Sequence, residues 1–166
     1  MTDTLETTDT ATLDPARREM YEKVLAKLNP DRFRDLLVDL VNIHSPTGRE
    51  RPASEYMASY LQDKVGIGAR YQPISEHTGN AIGELPGSGG GSRLLLYAPI
   101  DTHIDPEADV PWVGKSLRPD MIPEAKVDGD LVIGLGASNP KCMVAGLTEV
   151  LHAVADADLP LLGDLA

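Results

Sequence analysis

The chain has 166 residues, about the size of one domain, and its 42% hydrophobic but only 4% aromatic residues require an aliphatic core. Its 26 acidic against 15 basic residues leave a net charge of −11, which repels nucleic-acid phosphates and anionic lipid and argues against both as partners. A single cysteine, Cys142, excludes an intrachain disulfide and a thiolate zinc cluster. No stretch approaches the roughly 18 apolar residues of a membrane helix. The acidic, Thr-rich start lacks the apolar segment of a signal peptide, so a cytoplasmic protein is the expectation.

Residues 1–13 read as a disordered acidic tail. Asp14-Pro15 then opens a helix, Asp as cap and Pro at its first position, with Met20, Val24 and Leu28 on one stripe. Asn29-Pro30 ends it and Asp31 caps a second helix, whose apolar face is Phe33, Leu36, Leu37, Leu40 and Val41, with Asp35 and Asp39 outside. After a Ser45-Pro46-Thr47-Gly48 turn, a third helix is predicted from about Arg51 to Lys64, with Ala53, Met57, Tyr60 and Leu61 inward. The period then changes. Residues 66–74 are extended, 80–85 form a short strand, and a Gly/Ser-rich connection leads to the most apolar strand, Arg93 to Ala98. Residues 106–126 read as loop, Val127 to Asp130 as a turn and Leu131 to Ile133 as a strand. A last helix follows Pro140, with Met143, Leu147, Leu151 and Val154 as its face. Helices, then strands, then strand–helix predict an α/β architecture.

The glycine loop at 87–91 is no phosphate cradle: such a loop needs a strand before it and a helix after it, and here a strand follows. His44, His77 and His152 each read as ordinary surface or hydrogen-bonded histidines. Cys142 reads as a small helix cysteine rather than a nucleophile. No serine sits on a nucleophile-elbow pattern. Asp101, His103 and Asp105 differ, because they follow directly on the leucine strand, where open α/β sheets keep their sites. Side chains two apart on an extended chain share a face, so His103 and Asp105 could hold a metal ion. Asn139, at a helix start after a second short strand, could converge on the same cleft.

Taken in order, these segments resemble the co-catalytic zinc amidohydrolases and peptidases of metallopeptidase family 20, which includes aminoacylase, acetylornithine deacetylase, succinyl-diaminopimelate desuccinylase and the glutamate carboxypeptidases. The resemblance runs from about Asp31 to Ala155. It rests on the Ile43–Gly48 turn, Gly79-Asn80, Leu94 to His103, Trp112, and the segment from Asp128-Gly129 through Gly134-x-Gly136-Ala137 and Asn139 to Lys141. It implies the incomplete half of a mixed-sheet, aminopeptidase-like catalytic domain, over residues 14–166, with helices on both faces. It also implies hydrolysis of an amide-type C–N bond, in which a metal-bound water attacks and a glutamate moves protons.

The departures from the family pattern concern its metal ligands. In the register set by the three leucines, Pro99 stands at the histidine ligand and Asp101 at the aspartate that orients it. This register needs no gap and is preferred. In the alternative register the pair is His103 and Asp105. Asn139 replaces the metal-bridging aspartate in both, and a neutral carboxamide bridges two cations poorly. The resemblance therefore carries Asp101 and Lys141 as catalytic positions and His103, Asp105 and Asn139 as metal positions, for a divalent metal such as zinc that is altered or lost. The family's paired glutamates, later ligands and dimerisation insert have no counterpart here. A second polypeptide is expected to complete the domain, as a partner subunit or as the other half of a cleaved precursor, with a small amide as substrate. The rival expectation is a non-catalytic subunit that assembles with or regulates a catalytic chain.

Overall fold

A computed structural model of the chain describes residues 13–105 and 117–166. The tail placed at 1–13 falls outside these residues except for residue 13, as do Trp112 and most of the loop placed at 106–126. The described residues form a small α/β fold with four α-helices and two separate two-stranded antiparallel sheets.

Helix α1, Pro15–Leu25, begins as expected, the Asp14 carboxylate accepting the Arg17 N–H at 3.0 Å. Its expected inner stripe is not buried. No residue of α1 is buried, and Met20 and Leu28 are 38% and 41% exposed, because α1 packs only lightly, mainly against α4. Helix α2, Pro30–Asn42, is capped by Asn29 rather than Asp31. The Asn29 side-chain oxygen accepts the N–H groups of Asp31 and Arg32, and Asp31 sits in the first turn, where its charge suits the helix dipole. Leu36, Leu37, Leu40 and Val41 are buried as their spacing predicts, each contributing about 1.5–3 kcal/mol.

Helix α3, Arg51–Tyr60, buries Ala53 and Met57 and then widens into a π-turn over Leu61–Val65, closed by Gly66 in the left-handed region. Strands β1, Gly68–Pro73, and β2, Gly79–Glu84, pair antiparallel from Gly68↔Glu84 to Pro73↔Gly79, with α3 packed on both. Strands β3, Lys126–Asp128, and β4, Leu131–Ile133, form a hairpin, so Val127 and Asp128 belong to a strand rather than to the turn expected there. Gly129, at φ +58°, supplies the left-handed turn residue. Helix α4, Lys141–Asp156, packs on α2. Its inner face is rotated from the expected one. Lys141, Ala145, Thr148, Glu149, Leu151, His152 and Ala153 are buried, whereas Met143 is 50% exposed.

The largest departure is Arg93 to Ala98. This run is extended but forms no ladder strand, making only an isolated parallel bridge from Leu94 to Leu165. Its far end is held by a second parallel bridge, Pro46 to Thr102. Among the described residues Tyr97, Ala98 and Pro99 have no backbone hydrogen bond. The apolar run is not buried by the described residues: Leu94, Leu95 and Tyr97 are 57%, 69% and 82% exposed.

Candidate functional site

Three segments singled out by the sequence meet in space: the 43–48 turn, the 99–105 run and the 134–141 loop. The Thr102 N–H donates to Ser45 O at 2.8 Å, and the Thr47 N–H donates back to Thr102 O at 3.0 Å. The buried Ser45 hydroxyl donates to Ile100 O at 2.9 Å. The third segment enters through Gly136, at φ +84°. A Cβ there would stand 3.0 Å from both Thr102 Cγ2 and Lys141 Cδ, so only glycine fits the crossing without displacing them.

Lys141 does not present its ammonium to a cleft. Its side chain is fully buried, and Nζ donates to Leu40 O at 2.8 Å and Ile43 O at 2.7 Å. It thus adds a second donor to Leu40 O, which also accepts the Ile43 N–H at 3.2 Å, and ties α4 to the C-terminus of α2 and the 43–48 turn. Burial lowers its pKa to about 8. In this structure Lys141 ties elements together, whereas the resemblance carried it as a catalytic position.

Asp101 is partly exposed, and its Oδ2 accepts the Thr47 hydroxyl at 2.6 Å. It lines one end of a cavity of about 620 Å³. Further along the walls lie Glu50, the β2 residues Gly79–Gly83, the 95–100 run, and Val144, Leu147, Thr148 and Leu151 of α4. The lining is mostly apolar, with Asp101 and Glu50 as its carboxylates.

Asp105 stands apart from this cavity. Arg49 Nη1 lies 3.6 Å from Oδ2, and His44 Nε2 lies 3.7 Å from Oδ1. His44, read from the sequence as unremarkable, is therefore an imidazole beside this carboxylate, and among the described residues its Nε2 is buried without a hydrogen-bond partner. The Ile43–Gly48 motif that flanks it was the available signal. His103 is exposed, and residues 101–105 do not form a regular strand, so the alternation that would align His103 with Asp105 has no strand to act through. Asn139 is exposed and precedes a cis peptide bond to Pro140. Cys142 Sγ donates to Ser138 O at 2.7 Å.

These residues do not fit a two-metal centre. Pro99 has no side-chain donor, and Asn139 brings no charge to offset two cations. The Asp105 carboxylate faces Arg49, a competing cation. Among the described residues no three His, Cys, Asp or Glu side chains group as a metal site.

A second polar cluster holds the helices together. Glu149, 6% exposed, accepts the Asn29 N–H at 2.7 Å, Arg32 Nε at 2.7 Å and Arg32 Nη2 at 2.8 Å. His152 packs edge-on to Tyr60, 6.0 Å between ring centroids, and burial followed by the Arg32 charge lowers its pKa. Glycines 89–91 direct their N–H groups to Leu162 O at 2.9–3.0 Å, so these amides are committed within the chain and not to a phosphate. Among the described residues no helix is long and apolar enough to cross a membrane. No family model matches the chain.

Proposed function

We propose that this chain is the amino-terminal portion, or small subunit, of a cytoplasmic hydrolase acting on an amide-type C–N bond. In this reading a second polypeptide completes a mixed-sheet catalytic domain, and the family's metal site is altered or lost. The supporting observation is the convergence of three segments that resemble one family's ordered motifs and lie far apart in sequence: Thr47 on Asp101, Thr102 on Ser45, and Gly136 and Lys141 against both. Asp101 is the chain's own contribution to the reacting centre. Its carboxylate is oriented by Thr47 and open to the cavity, placed to hold a proton or a polar substrate group.

The test is co-expression with the product of the adjacent reading frame, followed by turnover of a panel of N-acyl amino acids and elemental analysis of the active assembly. Asp101→Asn should lower kcat by about 10²-fold or more with assembly intact. Unchanged turnover in that variant would remove Asp101 from the chemistry. Pro99 and Asn139, standing where the family's ligands would be, favour a second reading, a non-catalytic subunit that assembles with or regulates a catalytic chain. That reading predicts an Asp101→Asn complex indistinguishable from the parent.

A further inference from the structure

One buried imidazole lies outside the candidate site. His152, on the inner face of α4, is 5% exposed. The Tyr60 ring of α3 stands edge-on to it, 6.0 Å between centroids and 85° between planes. Its Nε2 is buried and, among the described residues, has no hydrogen-bond partner. A neutral imidazole can leave only a lone pair there, with its hydrogen on the other nitrogen. A charged imidazole cannot: both nitrogens then carry N–H, so protonation puts a donor on Nε2 where no acceptor stands.

The neighbouring charges sharpen this conflict. Glu149 and Asp156 stand three residues before and four after His152 on α4, the spacings that share a helix face. Arg32 of α2 already holds both. Its Nε and Nη2 donate to Glu149 at 2.7 and 2.8 Å, and its Nη1 to Asp156 at 3.2 Å. Glu149 also accepts the N–H of Asn29, the residue that caps α2, at 2.7 Å. At neutral pH, then, one cation and two carboxylates share the cluster with an uncharged ring. Among the described residues these three are the charges that act on the imidazole. Burial first, and the Arg32 cation second, lower its pKa from the ordinary 6.5, against the pull of both carboxylates. Tyr60 stays neutral throughout: burial, opposed by Arg32 and joined by Glu149, Asp39 and Asp35, raises its phenol. Of the other elements on α4, the π-turn carries Asp63 and Lys64, and α1 carries Arg17, Arg18, Glu19, Glu22 and Lys23; none of these acts on the ring.

We propose that His152 is an acid-sensitive latch of the helical layer. Neutral, it closes α4 against Tyr60 and leaves Glu149 and Asp156 to Arg32. Protonated, it brings a second cation that competes for the same two carboxylates and loosens the hold of α4 on the start of α2. No hydrolytic activity is required for it. The sign follows from proton linkage. Above the ordinary value of 6.5 the ring is neutral in the folded and the unfolded chain and adds no slope. Between 6.5 and the lowered folded value the unfolded chain binds the extra proton, so stability falls as pH falls. The unfolding constant rises there by up to about tenfold per pH unit from this one group. Below the folded value both states are charged, the loss is complete and the slope ends.

The test follows the full 166-residue chain by NMR from about pH 8 to about pH 5, beside the variant His152→Gln. The His152 ring protons are expected to titrate with a midpoint below 6.5, and the Arg32 Nε–H resonance to shift with the same midpoint as its carboxylate is contested. The β1 and β2 amides should hold still through that midpoint. In denaturant titrations the unfolding constant of the parent should rise over the same interval by up to about tenfold per pH unit more than that of His152→Gln. A His152 midpoint at or above 6.5 overturns the latch, as do parallel stability profiles of parent and variant. An Arg32 resonance that ignores the His152 titration would uncouple the ring from the carboxylates and overturn it too. Movement of β1 and β2 with the same midpoint would mean that the whole fold responds, with no local latch. Should His152→Gln fail to fold, the His152 and Arg32 titrations of the parent decide by themselves.

Discussion

On the helical side of the molecule charges are buried. Lys141 is 0% and Glu149 6% exposed, and each makes two or more hydrogen bonds. On the strand side the apolar residues are out: Leu94, Leu95 and Tyr97 are 57%, 69% and 82% exposed. The contrast shows that burial here follows the presence of partners more than residue type. A lysine goes inside where two carbonyls at a helix end accept its ammonium. Leucines stay outside where little of the described chain packs over them. In the helical layer Lys141 and Glu149 are satisfied by partners of the described chain, whereas Leu94, Leu95 and Tyr97 stay exposed in the strand layer.

The largest expected effect lies on the helical side. Glu149→Ala would leave Arg32 half-enclosed and the Asn29 N–H unpaired, at a loss of about 3–5 kcal/mol in chemical denaturation. A loss below about 1 kcal/mol would show that the cluster behaves as a surface ion pair. The Arg32–Asp156 contact, with Asp156 half exposed, should matter far less.

Lys141→Met comes next. It removes two hydrogen bonds from Leu40 O and Ile43 O, at about 1–3 kcal/mol near neutral pH. The pH dependence sharpens the point. The folded-state pKa is lowered to about 8 from an ordinary 10.5. Between these values the unfolded chain binds more protons than the folded one, so this group makes stability rise with pH across that window. Below pH 8 the lysine is charged in both states and its burial penalty is fully present. Unfolding midpoints at pH 7.5 and 9.5 should therefore climb in the parent and lose that climb in Lys141→Met. Parallel profiles would place the titrating group elsewhere.

The smallest effect on the isolated chain belongs to the strand side. Leu95→Lys should change stability by no more than about 0.5 kcal/mol, since the side chain is already mostly in water. On the proposed two-polypeptide reading, the same substitution should weaken binding of the second chain, measured by co-purification or calorimetry. If it instead destabilises the chain alone, the strand side is packed in solution and the contrast between the two layers fails.

The sequence by itself determined what short-range physics controls. Helical spacing placed α2 and its buried leucines, Asp14-Pro15 started α1, and the helix after Pro140 was found. The three segments that make the candidate site were also legible, because glycine, proline and carboxylate patterns are local. The details that failed depended on neighbours. Asn29 outcompeted Asp31 as the cap by geometry one turn away. Met20 and Leu28 had the right period but little to pack against. Met143 lost the inner face of α4 to Lys141 and Glu149, because Leu40 O, Ile43 O and Arg32 supplied partners that no pattern within α4 reveals. His44 gained a role only when the fold set it beside Asp105. The leucine run carries the same lesson: its apolar character is written in the chain, but whether it is buried depends on neighbours that only the tertiary structure supplies.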